Sequence, residues 1–515
     1  MKIIMEKICV RTGEKFTISD FEKSYLEERG IPLPDVSPAW RTREQYANRN
    51  EGNMFERICD KTKKTIISSY RPDAPFPVYS NEAWYSEEYD GLAYGRDYDF
   101  SRTFFEQFHD LLKTVPRPSR QGINMENSPY VHLGANVKSC FLTFVSWDSE
   151  DCYYGFRVFK CRNCVDCTEI TECELCYECV DCGSCYNVRW GYHSFNSRDS
   201  AMLYMCRNCT DCFGCVGLEH KKYCIWNVEY SKEEYEQKIK EMNLGSRKSI
   251  EELQKKFWEL VKEKGLNYST ITNSEDCTGT YIDHSAHCKN SIFIKESNNI
   301  LNGYHVRASR DTFDVAGVAK CELVYRSSSM VSTYDSQFGC MNQNNLHAIY
   351  CNNIYGGGEY LFGCVGFSRK QNYCILNKQY TKEEYHELLP RIKKHMESTG
   401  EWGQFFPLSM ADFPYVDTIA QQHFPISSDE EAKRLGVYWL GKKAFTTTET
   451  AISIPDTIDQ VDESICDQVL QDAETHRAYK LQKKELAFYK QMGIPVPVYS
   501  FNTRNDRRSK ILFQI

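Results

Sequence analysis

The stretch CRNCVDCTEITECELCYECVDCGSC, residues 161–185, carries cysteine at 161, 164, 167, 173, 176, 179, 182 and 185, and its reading decides the fold. Two spacings are superposed in it. Cysteines follow one another at three residues, and the pattern returns at twelve: Cys161, Cys173 and Cys185, then Cys167 and Cys179. Outward from this stretch, Cys140, Cys152, Cys164 and Cys176 keep the same step, as do Cys212 and Cys224. Val188 and Ser200 fill the two positions of the first series before Cys212, so the site stays small where it is not cysteine. Aromatic and β-branched residues alternate with Asn, Asp and Ser around these positions, which predicts short strands joined by turns. One recurring small site per twelve residues predicts a β-solenoid with one cysteine-bearing rung per repeat.

The repeat also exists on a longer scale. FGCVG at 213–217, with Lys221, Tyr223, Cys224, Asn227 and Tyr230, returns as FGCVG at 362–366, with Lys370, Tyr373, Cys374, Asn377 and Tyr380, after a single-residue insertion. Two related lobes therefore end alike. Ser231 with Glu234 and Thr381 with Glu384 read as capping boxes that start a helix after each last strand. The helix between the lobes is expected to start at a capping box of Ser249 and Glu252, with Ile250, Leu253, Phe257, Leu260 and Val261 on one face. Cysteine spacing in the second lobe is looser, running eleven, thirteen and ten from Cys340. A third repeat joins the ends of the chain, where Glu22, Tyr25, Gly30, Ser37 and Arg41 match Glu485, Phe488, Gly493, Ser500 and Arg504 at one constant offset. Each copy reads as a helix stopped by a glycine and followed by an extended Ile-Pro-x-Pro exit.

The order of these parts resembles a family of uncharacterised cysteine-rich repeat proteins found in metagenomic genomes of ultrasmall candidate-phyla bacteria. YGRDYDFSR at 94–102, the two FGCVG endings and GIPVP at 493–497 carry the resemblance. It implies terminal modules like zinc ribbons, each with one ligand pair before a helix and one after it. In this chain those places hold Cys9, Thr12, Ser37 and Trp40; then Cys59, Thr62, Ser80 and Ala83; then Asp472, Thr475, Ser500 and Thr503. Tetrahedral zinc takes four thiolate, imidazole or carboxylate ligands, so these modules are expected to be metal-free ribbon folds.

Together these features predict a mainly β chain with accessory helices, built as two cysteine-rich β-solenoid lobes flanked by degenerate zinc-ribbon-like modules. The expected parts are a module at 1–50, a second module with an aromatic helix at 51–125, the first lobe at 126–230, and a helical linker at 231–270. The second lobe follows at 271–380, then a helix and extended linker at 381–460 and the last module at 461–515. The net charge of −8 and the mixing of acidic and basic residues disfavour a broad DNA-binding surface. Glu6 and Lys7 interrupt the apolar run a signal peptide needs, and no segment has the length to span a bilayer, so the expected location is the cytoplasm. In that compartment the 25 cysteines are expected to be thiols or metal ligands rather than disulfides.

The solenoid cysteines allow two readings. Cys161, Cys164, Cys167, Cys173, Cys176, Cys179, Cys206, Cys209, Cys212 and Cys215 have the local spacing of thiolate metal sites and could hold zinc, copper or iron. They also fit as small residues stacked inside a narrow coil, which the unbroken twelve-residue phase favours. Cys277, His284, His287 and Cys288 form the most compact mixed-ligand cluster, against a plain reading as turn histidines. Trp84, Tyr94, Arg96, Tyr98 and Arg102 could stack bases or form a packed joint, with Ser101 expected to cap the following helix. Arg41 and Arg504 are candidates for gripping a partner from the end modules. For catalysis, Asp283, Lys295, Arg307, Arg310 and Asp311 are the residues to check, since a carbohydrate-active β-helix enzyme would place such groups in a groove. The leading expectation is a non-enzymatic scaffold for protein or RNA partners, and the alternatives are a metal-binding protein and that enzyme.

Overall fold

A computed structural model describes residues 3–265, 269–441 and 452–512. The chain forms two compact units, residues 1–119 with 268–442 and residues 120–267 with 443–515. Each unit holds one of the repeat lobes, so the end modules group with lobes distant in sequence. The N-terminal and middle modules belong with the second lobe, and the C-terminal module belongs with the first.

In the second unit the first lobe is an eleven-stranded sheet running from Gly122–Glu126 to Val228–Glu229. It therefore opens at Gly122, inside the segment expected to close the middle module. Its strands pair in parallel with a partner twelve residues on, as in Phe156 with Thr168, Val188 with Ser200 and Cys212 with Cys224. Only the last strand turns back antiparallel, pairing Cys224 with Glu229.

The three-residue spacing has a backbone cause. Asn163, Asp166, Glu169, Glu172, Leu175, Glu178, Asp181 and Ser184 all lie in the left-handed region, at φ between 47° and 56°. Two extended residues followed by a left-handed one return the side chain to the same side every third position, instead of every second as in an ordinary strand. Cys161, Cys164, Cys167, Ile170, Cys173, Cys176, Cys179, Cys182 and Cys185 accordingly share one buried cluster inside the lobe, while Val165, Thr168, Tyr177 and Val180 are buried at other phases. Left-handed backbone costs a non-glycine residue roughly 1–2 kcal/mol, least for Asn and Asp, which recur at these corners. Continuous parallel hydrogen bonding and the dry interior offset that cost.

The second lobe, in the first unit, uses the same backbone with different side chains. From Ser291 to Ile349 its strands alternate between a seven-stranded parallel sheet and an eight-stranded sheet, the latter parallel except for its last strand, Lys378–Gln379, which turns back antiparallel. Ser291–Lys295 pairs with Tyr304–Arg307, while Asn298–Leu301, between them in sequence, pairs with Arg310–Phe313. The register is twelve from Ser291 to Cys340 although cysteine is sparse there, because Ser297, Ser309, Thr312, Val318 and Val324 take the inward places. It becomes thirteen where Asn345 pairs with Gly358 and again where Gly358 pairs with Gln371, the second of these being the step that holds the inserted residue of the repeated ending.

The end modules share a plan of hairpin then helix. Ile3–Ile8 pairs with Lys15–Ser19, Phe55–Ile58 with Thr65–Ser68, and Leu470–Gln471 with Ala478–Tyr479. Gly30 and Gly493, both at φ 60°, end the helices of the two matching modules, and Gly493 is the left-handed C-cap of its helix. Both lobe-closing helices start at the expected capping boxes, Ser231 with Glu234 and Thr381 with Glu384. Two helix starts differ from expectation. Ser246, not Ser249, caps Arg247–Lys264, because its hydroxyl accepts the Ser249 N–H. Thr103, not Ser101, caps Phe104–Thr114, with Glu106 completing the box, while the Ser101 hydroxyl is taken by Asp99. Among the described residues no helix is long and apolar enough to cross a membrane.

Candidate functional site

The inward thiols of the first lobe are held by main-chain acceptors. Each sulfur faces the carbonyl two residues before it, and all but Cys182 and Cys224 also face one nine residues after it. Cys164 Sγ lies 3.3 Å from the Arg162 oxygen and 3.5 Å from the Cys173 oxygen, and Cys176 Sγ lies 3.5 Å from Glu174 and 3.7 Å from Cys185. Cys167, Cys173, Cys206, Cys209, Cys212 and Cys215 repeat the arrangement. Carbonyls only accept, so a thiol so placed presents its S–H to them, and hydrogen bonds from neighbouring thiols pull Cys161, Cys176 and Cys185 below the ordinary thiol range. Burial pushes Cys164, Cys179 and Cys182 well above the ordinary thiol range.

Serine plays the same part elsewhere. Ser149 Oγ donates to Trp147 at 2.9 Å and accepts the Cys161 N–H at 3.2 Å, while Ser297 Oγ donates to Lys295 at 2.8 Å and accepts the Ser309 N–H at 3.2 Å. Cysteine in this interior is thus a small donor interchangeable with serine. Among the described residues no group of three or more His, Cys, Asp or Glu side chains is set to hold a metal ion. At the mixed cluster, His284 Nδ1 pairs with Asp283 at 2.9 Å and His287 Nδ1 with Asp276 at 3.2 Å, both imidazoles being exposed, whereas Cys288 is buried. Cys277 and Cys288 point inward, and the histidines point to solvent-facing carboxylates.

The middle and C-terminal modules each hold two turns together around one acceptor. Cys59 Sγ accepts N–H bonds from Thr62 at 3.3 Å and Ser80 at 3.1 Å. In the C-terminal module a carboxylate stands in the same place, and Asp472 accepts from the N–H groups of Glu474 at 2.9 Å, Thr475 at 2.8 Å and Ser500 at 2.6 Å. Burial works to raise the Asp472 pKa, but these donors and the Thr503 hydroxyl outweigh it and hold the carboxyl well below its usual range.

Arg41 and Arg504 face neither solvent nor an outside partner, because each is sunk into the lobe of its own unit. Arg41 Nη1 lies 2.7 Å from Glu22 of its module and 3.1 Å from Asp314 of the second lobe. Arg504 lies 3.4 Å from Glu485 of its module and 2.9 Å from Asp166 of the first lobe. Asp166 precedes Phe213 by 47 residues and Asp314 precedes Phe362 by 48, the extra one lying in the thirteen-residue step from Asn345 to Gly358, so the two aspartates are equivalent. One rung further on the charges reverse. Arg326 of the second lobe pairs with Glu44 of its module, whereas the equivalent Glu178 of the first lobe lies near Arg508, which pairs with Asp166 at 3.0 Å.

The aromatic segment is a packed joint. Trp84 is fully buried, and its indole donates to the Pro116 carbonyl at 3.0 Å. Tyr98 OH meets His395 Nδ1 at 2.9 Å, Arg96 reaches Thr114 at 3.1 Å, and Arg102 pairs with Asp110 at 2.8 Å. Tyr94 lies half-buried beside Tyr89.

A groove of about 1180 Å³ runs along the corner between the two sheets of the second lobe. It passes over the rungs of Ser274, Ser285, Ser297, Ser309 and Cys321, flanked by Glu275, Glu296, Arg310, Lys320 and Glu322, with Ala286 and Ala308 keeping it open. The residues checked for catalysis do not converge. Asp283 is engaged by Thr272 and His284, Asp311 accepts from Asn299, and Lys295 lies beside Arg307 on the next rung. Of this groove only Arg310 and His284 were singled out by sequence. The serines at 285, 297 and 309 are the signal that could have found it, since they recur at twelve-residue steps along the groove, with Ala286 and Ala308 on opposite sides of that line. No protein-family model matches the chain, and no curated protein matches it.

Proposed function

We propose that the protein is a non-enzymatic scaffold, in which both lobes wind as four-sided β-solenoids of twelve residues per turn and the second lobe receives an extended protein partner in its corner groove. The supporting observation is the groove itself, which is long, open and lined by both signs of charge over five successive rungs. Mixed charge suits a protein segment better than a phosphodiester backbone, which the three glutamates would repel. The twelve-residue register, kept throughout the first lobe and from Ser291 to Cys340 in the second, and the left-handed corner at every third residue support the solenoid reading. On this reading the terminal modules are metal-free ribbons of a cytoplasmic protein, and the chain belongs with the cysteine-rich repeat family its motifs resemble.

The test is a pull-down with the full chain, with and without nuclease, beside a variant carrying Arg310→Glu and Lys320→Glu. A partner kept after nuclease and lost by the variant, at unchanged thermal midpoint, supports the reading. Loss of every partner after nuclease reassigns the groove to nucleic acid. Absence of any partner sensitive to the variant overturns the scaffold.

A further inference from the structure

The two lobes end in the same motif, but only one ending is covered. In the first unit, residues 86–97 lie against the end of the second lobe. Tyr89 OH donates to the Gly366 carbonyl at 2.7 Å, and Asn377 Nδ2 donates to the Gly91 carbonyl at 2.9 Å. Glycine is needed on both sides of this contact. A Cβ placed at Gly366 would stand 2.5 Å from Val115 Cγ1 and 3.1 Å from the Tyr89 hydroxyl, and one at Gly91 would stand 2.5 Å from the Phe367 ring.

In the second unit the equivalent ending of the first lobe is open. Asn227 keeps the internal role of Asn377, accepting the Val216 N–H at 2.8 Å and donating to the Val216 carbonyl at 2.8 Å. Asn377 makes the same pair of bonds with Val365 and adds the bond to Gly91. Gly217, the counterpart of Gly366, is exposed, and no heavy atom of the described residues would come within 4 Å of a Cβ there.

Backbone conformation does not account for this glycine. Asp181, His193 and Met205, which precede Gly217 at twelve-residue steps, carry side chains at φ 51°, 52° and 54°, and Gly217 itself is at 67°. Gly122, Gly134, Gly155, Gly183, Gly191 and Gly214 of the same lobe each have a side chain close against the position of a Cβ. Gly217 alone among them keeps its space with nothing in it.

We propose that the end of the first lobe, at Gly217, Leu218 and Asn227, is a docking site for an extended segment of another protein with a tyrosine two residues ahead of a glycine. The tyrosine hydroxyl donates to the Gly217 carbonyl, and the glycine carbonyl accepts the second amide proton of Asn227. An aliphatic residue after the glycine, as Leu92 is beside the second lobe, covers the half-exposed Leu218. This site is separate from the corner groove, and it extends the scaffold reading to a second surface with a stated partner chemistry.

The probe is a fluorescein-labelled peptide of residues 86–100, SEEYDGLAYGRDYDF, titrated into the full chain and followed by anisotropy. Saturable binding is expected, weakened at least tenfold by Gly217→Asn in the protein and by replacing the peptide tyrosine at position 89 with phenylalanine. Asparagine adopts the same backbone at Asn208, φ 53°, so the variant is expected to keep its thermal midpoint. Absence of saturation, or binding untouched by Gly217→Asn, overturns the site. Self-association of the chain that Gly217→Asn abolishes in sedimentation gives the surface to a second copy and overturns the partner. The groove variant Arg310→Glu with Lys320→Glu leaves peptide binding unchanged, so this site and the groove fail separately.

Discussion

The first lobe has fifteen cysteines and the second has seven, yet the second keeps the same twelve-residue register from Ser291 to Cys340 and the same corners. The difference teaches what the cysteines are for. Where the first lobe stacks Cys164, Cys176 and their neighbours, the second stacks Ser285, Ser297 and Ser309 and makes the same bonds to carbonyls two residues back. The backbone therefore asks for a small inward donor, and either residue answers. The modules vary in the same manner, since Cys59 in one and Asp472 in another gather the N–H groups of two turns.

The comparison breaks most visibly at the buried arginines. Asp166→Ala leaves Arg504 and Arg508 buried without their shared carboxylate, and removing one partner of such a set costs on the order of 3–5 kcal/mol. Asp314→Ala does the same to Arg41. Calorimetry is expected to show each variant lowering one transition and sparing the other, and a common shift of both would show that the units do not fold independently.

A smaller effect separates the modules by pH. The depressed carboxyl of Asp472 contributes stability that is complete above the unfolded value, about 3.9. That contribution is lost as pH falls through the lower folded value. Asp472→Asn is expected to flatten the acid limb of unfolding curves below about pH 4 for the second unit alone.

Substitution of cysteine by serine tests the interchange directly. Cys164→Ser with Cys176→Ser is expected to cost roughly 1 kcal/mol per site or less, since the acceptors are in place. Protein purified without chelator is expected to carry zinc, iron and copper at well under one ion per chain by elemental analysis, and stoichiometric metal would return the ladder to the metal reading. The smallest effect lies at the helix starts, where Ser231→Ala and Thr381→Ala should each cost about 1 kcal/mol and by similar amounts.

Much of the fold was legible because the twelve-residue phase is written in one residue type. Its cause was not, since a left-handed corner at Leu175, Glu178 or Trp190 has no local signature; only the Asn and Asp corners advertise themselves. In the second lobe cysteine alone does not carry the phase, because serine and valine hold most of its inward places. Arg41 and Arg504 were visible as a matched pair, but their meaning depended on Asp314 and Asp166, hundreds of residues away. Gly217 was likewise noticed only as part of a motif. Its interest arises from comparing the surroundings of two glycines, which a sequence does not contain.

Twenty-four of the 25 thiols are buried and Cys277 is half-buried, and this makes the molecule a gauge of its own opening. Apart from Cys277 and the module thiols Cys9, Cys59 and Cys466, an alkylating reagent added to the native protein reaches sulfur only when a rung parts from its neighbours. Because the two lobes carry such different numbers of thiols, the mass gained in a short pulse reports which lobe has opened, and peptide mapping reports from which end it frays.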